Sequence, residues 1–156
     1  ITVAEAFQRY APCTVEEALA QDQFDEMLVE YVEPHLGMVT PTFLCDYPVV
    51  LGALARLSPS EPTVAERFEL YVAGLELANG FSELVDPVEQ RTRFLAEQES
   101  IRLQGRDPGP MPEQFLVELA GMPQAAGIAL GVDRLVMLFG GADSIDQVVA
   151  FTSEGL

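Results

Sequence analysis

The chain has 156 residues, 49% of them apolar, and a formal net charge of −17. That suffices for one domain, or part of one, with a real core, and no apolar run approaches the ~20 residues of a membrane helix. All eight basic residues are arginines and no basic patch stands out, which excludes general nucleic-acid binding; Cys13 and Cys45, with His35 the single histidine, exclude a disulfide framework or a zinc cluster.

Ile1 to Tyr10 mixes acid and base in an amphipathic pattern and is expected to be a short helix capped by Thr2 rather than a signal peptide. The cytoplasm is the expected compartment. Thr14 followed by Glu17 has capping-box spacing and predicts a second short helix to about Ala20. Phe24, Met27, Leu28, Tyr31 and Val32 recur at helical spacing, and Pro34 is expected to end that helix. His35 reads as a loop residue. Met38 to Asp46 is β-branched and aromatic, a strand with Pro41 near its start, and Tyr47-Pro48 turns the chain.

Val49 to Leu57 is small and apolar, either loop or helix, and Ser58 to Pro62 is a loop. Val64 to Val72 and Leu75 to Phe81 read as antiparallel strands about a turn at Gly74. Asp86-Pro87 opens a helix to Leu103, with proline suited to its first turn. Gly105 to Pro112 is a flexible loop, and Pro112 to Ala120 a short helix. A strand then runs into Gly131, a helix follows at once, Gly140-Gly141 breaks it, and Ser144 caps a last short helix. Antiparallel strands flanked by helices make the expected class α+β, as one domain over 1–156.

Two stretches carry chemistry. The first is GIALGVDRLVML, Gly127 to Leu138. Gly127 and Gly131 lack side chains, so a flat ligand can lie close to the backbone. Asp133 suits the first helical turn, whereas Arg134 opposes the helix dipole there by roughly 0.3–1 kcal/mol. An arginine held at such a place fits an anion, and its fork fits phosphate; it could equally reach solvent or pair with one of the many acids.

The second is RFELYVAGLELANGFSE, Arg67 to Glu83. Glu69, Glu76, Asn79 and Glu83 place three carboxylates and an amide in a mostly apolar hairpin, and unpaired charges are costly to bury. Carboxylates can hold Mg²⁺ on phosphates, and one can bind an ammonium group. A polar open sheet face, with Asn79-Gly80 as an ordinary turn, accounts for them equally well. Glu76 and Asn79 differ in parity, so one shared site needs a bulge near Ala78.

The first stretch resembles motif 3 of the class II aminoacyl-tRNA synthetases, Gly-x-Gly-x-x-Arg, with Gly131 and Arg134 in register and Ala129 where the first glycine is usual. FELYVAGLELANGFSEL, with PTFL upstream, resembles the lysine branch of that family. The resemblance runs from about Ile1 to Phe151. It implies a partial class II catalytic core that uses ATP and Mg²⁺. Arg134 would hold adenine and the terminal phosphate, with Gly127, Gly131 and Glu76 at the nucleotide. Glu69 and Glu76 would serve the metal, Asn79 the amino-acid backbone groups, and Glu83 the lysine ammonium.

Ala78 is similar to the branch that attaches (R)-β-lysine to elongation factor P, where a methyl would reshape the pocket. Lysine or (R)-β-lysine is then the implied substrate and elongation factor P the acceptor; tRNA enters only if the chain belongs with the lysyl-tRNA synthetases. Motif 1, which builds a homodimer interface, and motif 2, with its Phe-Arg-x-Glu arginine, have no counterpart here. The chain is therefore expected to be the C-terminal part of a catalytic domain, inactive by itself, with a catalytically silent binding module as a further alternative.

Overall fold

The computed structural model describes residues 1–152. Four strands form one sheet in the order β1-β2-β3-β4: β1 Thr42–Pro48, β2 Val64–Val72, β3 Leu75–Ser82 and β4 Ala126–Leu130. Among the described residues six α-helices accompany them: α1 Val3–Tyr10, α2 Val15–Ala20, α3 Phe24–Met27, α4 Pro87–Leu103, α5 Glu113–Leu119 and α6 Val132–Gly140. The β2–β3 turn is Ala73-Gly74, both at positive φ, as a tight hairpin demands. Glu83 N–H donates to Ala125 O and Gly131 N–H to Leu77 O, so β4 runs antiparallel to β3. The chain is α+β, as its sequence indicates. No described helix is long and apolar enough to cross a membrane.

The chain divides into two compact units. The first comprises Ile1–Tyr47, Arg67–Gly80 and Ile128–Leu156, although 153–156 lie outside the described residues. Its helices start as the capping signals require: Thr2 with Glu5 and Thr14 with Glu17 both form complete capping boxes. Val3, Ala6, Phe7, Val32, Leu44 and Tyr71 are fully buried, and Phe7 stacks on Phe24 at 5.1 Å.

The third helix departs from expectation. After Met27 it widens into a π turn, Leu28–Val32, then tightens into a 3₁₀ turn, Glu33–His35, so Pro34 sits inside the final turn instead of ending the helix before it. Proline at the first positions of a turn leaves no bond unmade, because those N–H groups have no partner inside it. His35 is exposed and stacks on Tyr10 at 4.6 Å. Gly37, at φ +70°, then lets the chain pass the hairpin: a Cβ there would lie 2.4 Å from the Tyr71 carbonyl oxygen, and Ala73 N–H donates to Gly37 O.

The second unit comprises Pro48–Glu66 and Phe81–Gly127. Asp86 caps α4 through Val88 N–H and Glu89 N–H, with Pro87 in the first turn. Arg93 crosses from α4 to the carbonyls of Ala53 and Ala55, which orders the apolar Val49–Leu57 stretch without making it an α-helix; only Val49–Leu51 forms a 3₁₀ turn. Arg91 pairs with Glu113, and Phe94 packs on Phe115 at 6.0 Å, joining α4 to α5.

Candidate active site

The first unit gathers six of the singled-out residues: Glu69 on β2; Glu76, Ala78 and Asn79 on β3; and Gly131 and Arg134 at the start of α6. Glu69 is the anchor. It is only 6% exposed, yet both its oxygens have partners. Oε1 accepts from Arg67 Nη2 at 2.6 Å and from Asn79 Nδ2 at 3.1 Å. Oε2 accepts from the Tyr71 hydroxyl at 2.8 Å. Charge-assisted bonds of this kind make burial of a carboxylate tolerable. The Arg67 guanidinium also lies 4.3 Å from the centroid of the Tyr47 ring, a cation–π contact.

Asn79 lies inside β3, not in a turn, so the ordinary-turn reading of Asn79-Gly80 does not hold. Asn79 meets Glu69, while Glu76 lies within electrostatic reach of Glu33 and Tyr47, side chains that border the same cluster. Leu77 and Ala78, adjacent in sequence, are both buried at 5% and 2% exposure. The strand runs unbroken through Ala78, so both of its faces are covered at Leu77 and Ala78.

Arg134 is the third residue of α6 after the N-cap Gly131, so its charge does oppose the helix dipole. Its Nη1 donates to the Glu76 carbonyl oxygen at 2.7 Å and approaches Glu76 Oε2 at 3.4 Å. The arginine thus has an acidic partner, but its side chain stays 47% exposed and an exposed pair is worth about 0–1 kcal/mol. It keeps donors for an anion. Glu76, Ala78, Asn79, Gly131 and Arg134 line an open groove of about 310 Å³. A Cβ on Gly131 would meet only ordinary contacts, the Leu77 carbonyl oxygen at 3.5 Å among them, so nothing within the fold requires glycine there.

The remaining two residues belong to the second unit. There a Cβ on Gly127 would fall 2.3 Å from Glu83 Oε1. Gly127 is the floor beneath the Glu83 carboxylate, a reason for glycine that close approach of a flat ligand does not capture.

Glu33, Arg67, Tyr47 and Tyr71 also border the cluster, and none of them belongs to the motif set. Arg67 and Tyr71 carried a signal, since both share strand parity with Glu69. Glu33 lies 38 residues from Tyr71 and carried none, yet its Oε1 is 3.0 Å from the Tyr71 hydroxyl. Burial, first, holds the Glu33 carboxyl above the usual carboxylate range, and the charges of Glu69 and Glu76 add to this, against the Tyr71 bond and Arg134. Burial and then the Glu69 charge hold the Tyr71 and Tyr47 hydroxyls firmly protonated.

The donor set limits which metal the cluster can hold. Among the described residues no three carboxylate, imidazole or thiol side chains form a metal-binding group. Mg²⁺ commonly takes one or two carboxylates and completes its shell with water and phosphate oxygens. Glu76, partly exposed, and Glu69 Oε2 are the carboxylate oxygens here that could serve a cation arriving with a phosphate-bearing ligand.

The sequence profile of the tRNA synthetases class II (D, K and N) matches residues 2–155. The chain belongs to that family. It is 47% identical to the elongation factor P–(R)-β-lysine ligase of Vibrio cholerae over 121 residues, covering 77% of this chain and 37% of the relative. It is 49% identical to the protein of that name from Klebsiella pneumoniae over 122 residues, 78% of this chain and 38% of the relative. It is 50% identical to the lysine–tRNA ligase of Dehalococcoides mccartyi over 129 residues, 81% of this chain and 26% of the relative. The chain spans well under half the length of these relatives. The family accounts for the co-occurrence of the two stretches: a class II (D, K and N) chain whose relatives are lysine ligases.

Proposed function

We propose that this chain carries part of the site at which a lysine-type amino acid is activated by ATP as an aminoacyl-adenylate. The observation that carries the reading is the Arg67–Glu69–Asn79 network and the Glu76–Arg134 pair within one unit, with Glu76, Asn79 and Arg134 lining one groove. A buried carboxylate that fixes an amide, next to a half-exposed arginine and an open carboxylate, suits a zwitterion and a polyphosphate side by side.

In this reading the amino-acid carboxylate attacks the α-phosphorus, the bond to the bridging oxygen breaks, and pyrophosphate leaves with the electron pair. An acceptor then attacks the acyl carbon and AMP departs. Arg134 releases Glu76 and turns its donors to the terminal phosphate and its planar face to adenine. Asn79, held by Glu69, orients the amino acid's backbone groups. Glu83 takes the side-chain ammonium, a role that rests on the family resemblance and on the carboxylate lying over Gly127. Mg²⁺, held by Glu76 and Glu69 when bound, would offset phosphate charge. Such chemistry runs on positioning and electrostatics, with no protein nucleophile.

The favoured substrate is (R)-β-lysine and the favoured acceptor a lysine of elongation factor P, on the strength of Ala78 and of the relatives that bear that name. A second reading, activation of lysine for tRNA, is favoured by the 50% identity to lysine–tRNA ligases. Amino-acid-dependent ATP–pyrophosphate exchange separates them. It is run with (R)-β-lysine and L-lysine on this chain and on a form extended toward the span of its relatives. Exchange strongest with β-lysine in the longer form supports the first reading; strongest with L-lysine, the second. Exchange with neither overturns both.

A further inference from the structure

Glu69 lies at one end of a line of three side chains in the first unit. The Tyr71 hydroxyl is 2.8 Å from Glu69 Oε2 and 3.0 Å from Glu33 Oε1. Tyr71 is fully buried, so its ring cannot swing without repacking the core. Glu33 sits at the start of the 3₁₀ turn that ends the widened third helix, which brings it to the hydroxyl from 38 residues away in sequence.

Each carboxylate oxygen offers two lone pairs. On Glu69 Oε1, Arg67 and Asn79 use both. On Oε2 Tyr71 uses one, and with the buried Tyr47 hydroxyl beside the same carboxylate it limits where the other can point. We propose that Tyr71, anchored by Glu33, is a positioning residue that fixes the Glu69 carboxylate for the Mg²⁺ that accompanies ATP. This rests on the nucleotide reading above and adds two residues to it. Arg67 and Asn79 hold the carboxylate in place; Tyr71 sets its rotation. A tyrosine that served only the core would be replaced by phenylalanine at no cost to metal response.

The test is calorimetric titration of the chain with ATP, with and without Mg²⁺, for wild type, Tyr71→Phe, Glu33→Ala and Glu33→Gln. Tyr71→Phe is expected to weaken Mg·ATP binding about tenfold, the usual scale for one hydrogen bond to a charged group, and to leave metal-free ATP binding unchanged. Glu33→Ala should shift affinity the same way by less, and Glu33→Gln, whose amide can still bond the hydroxyl, should restore it. The proposal is overturned if Tyr71→Phe binds Mg·ATP as wild type does, or loses metal-free ATP binding by the same factor. Should Tyr71→Phe not fold, equal Mg·ATP affinity in Glu33→Ala and Glu33→Gln overturns it. A wild-type chain that binds ATP in neither form overturns the nucleotide reading itself, and this inference with it.

Discussion

Asn79 donates its amide to Oε1 of Glu69 at 3.1 Å, and Arg67 shares that oxygen at 2.6 Å. A buried carboxylate thus aims an amide from the neighbouring strand. Asn79→Asp would set a second carboxylate against the first and remove a donor. The expected cost is about 1–3 kcal/mol of stability, from one buried acceptor left unsatisfied, together with loss of amino-acid binding. Urea unfolding and calorimetric titration with (R)-β-lysine check the two effects. A variant as stable as wild type that still binds would mean Asn79 has no part in the site.

Arg134 is held by the backbone oxygen of Glu76 and keeps about half of its side chain exposed. If it leaves Glu76 for phosphate, Arg134→Ala should lower pyrophosphate exchange in the longer form by roughly 10²–10³-fold, the usual effect of removing one charge-stabilising donor. Arg134→Lys should recover little, because an ammonium lacks the fork and the stacking face. Stability should hardly move, since an exposed pair contributes about 0–1 kcal/mol. Exchange at the wild-type rate in Arg134→Ala would remove the residue from the mechanism.

Gly127→Ala tests the second unit alone. The added methyl would sit 2.3 Å from Glu83 Oε1, so the carboxylate must move. Overpacking of this kind typically costs about 1–3 kcal/mol. If Glu83 receives the substrate ammonium, KM for the amino acid should rise while KM for ATP holds. Equal change in both would show that Gly127→Ala disturbs more than Glu83.

Most of the fold was legible because its signals are local. The Thr2 and Thr14 capping boxes, Asp86 with Pro87, and the Ala73-Gly74 turn each act within a few residues, and the elements begin and end where they point. The third helix was less so: its π turn and the inclusion of Pro34 depend on how it packs, which spacing does not encode. In the site, the Arg67, Glu69 and Tyr71 side of β2 is legible from strand parity, because alternate residues share a face. Glu33 is not, because it joins Tyr71 through tertiary structure alone. At Gly127 the missing side chain is legible in the sequence, but the Glu83 carboxylate that lies over it comes from tertiary structure.

Ala78 is 2% exposed and also lines the groove with Asn79. Its methyl is the one side-chain atom that Ala78→Gly removes, and a single methyl in a pocket discriminates by about 1–3 kcal/mol. Ala78→Gly is expected to improve use of L-lysine relative to (R)-β-lysine in pyrophosphate exchange, at a cost in stability of roughly 0.5–1 kcal/mol for glycine within a strand. An unchanged preference would take Ala78 out of the account of specificity.

Tyr71 has one hydroxyl hydrogen and faces two carboxylates, so both cannot be ionised acceptors at once. Glu33 is the one that burial holds above its ordinary value of 4.5; Glu69, Glu76 and Arg134 are the charged groups it feels. A carboxyl whose folded pKa is raised binds its proton more tightly folded than unfolded. It therefore favours the fold at low pH, and that contribution is lost as pH rises from the unfolded value through the raised folded one. Glu33→Gln, which imitates the protonated acid, should raise the melting temperature at neutral pH and leave it near wild type at acid pH. The difference between the two proteins should grow across the interval between those pH values in thermal melts. A constant difference at all pH values would show that Glu33 does not exchange a proton with folding, and that the Tyr71 hydrogen is shared in some other way.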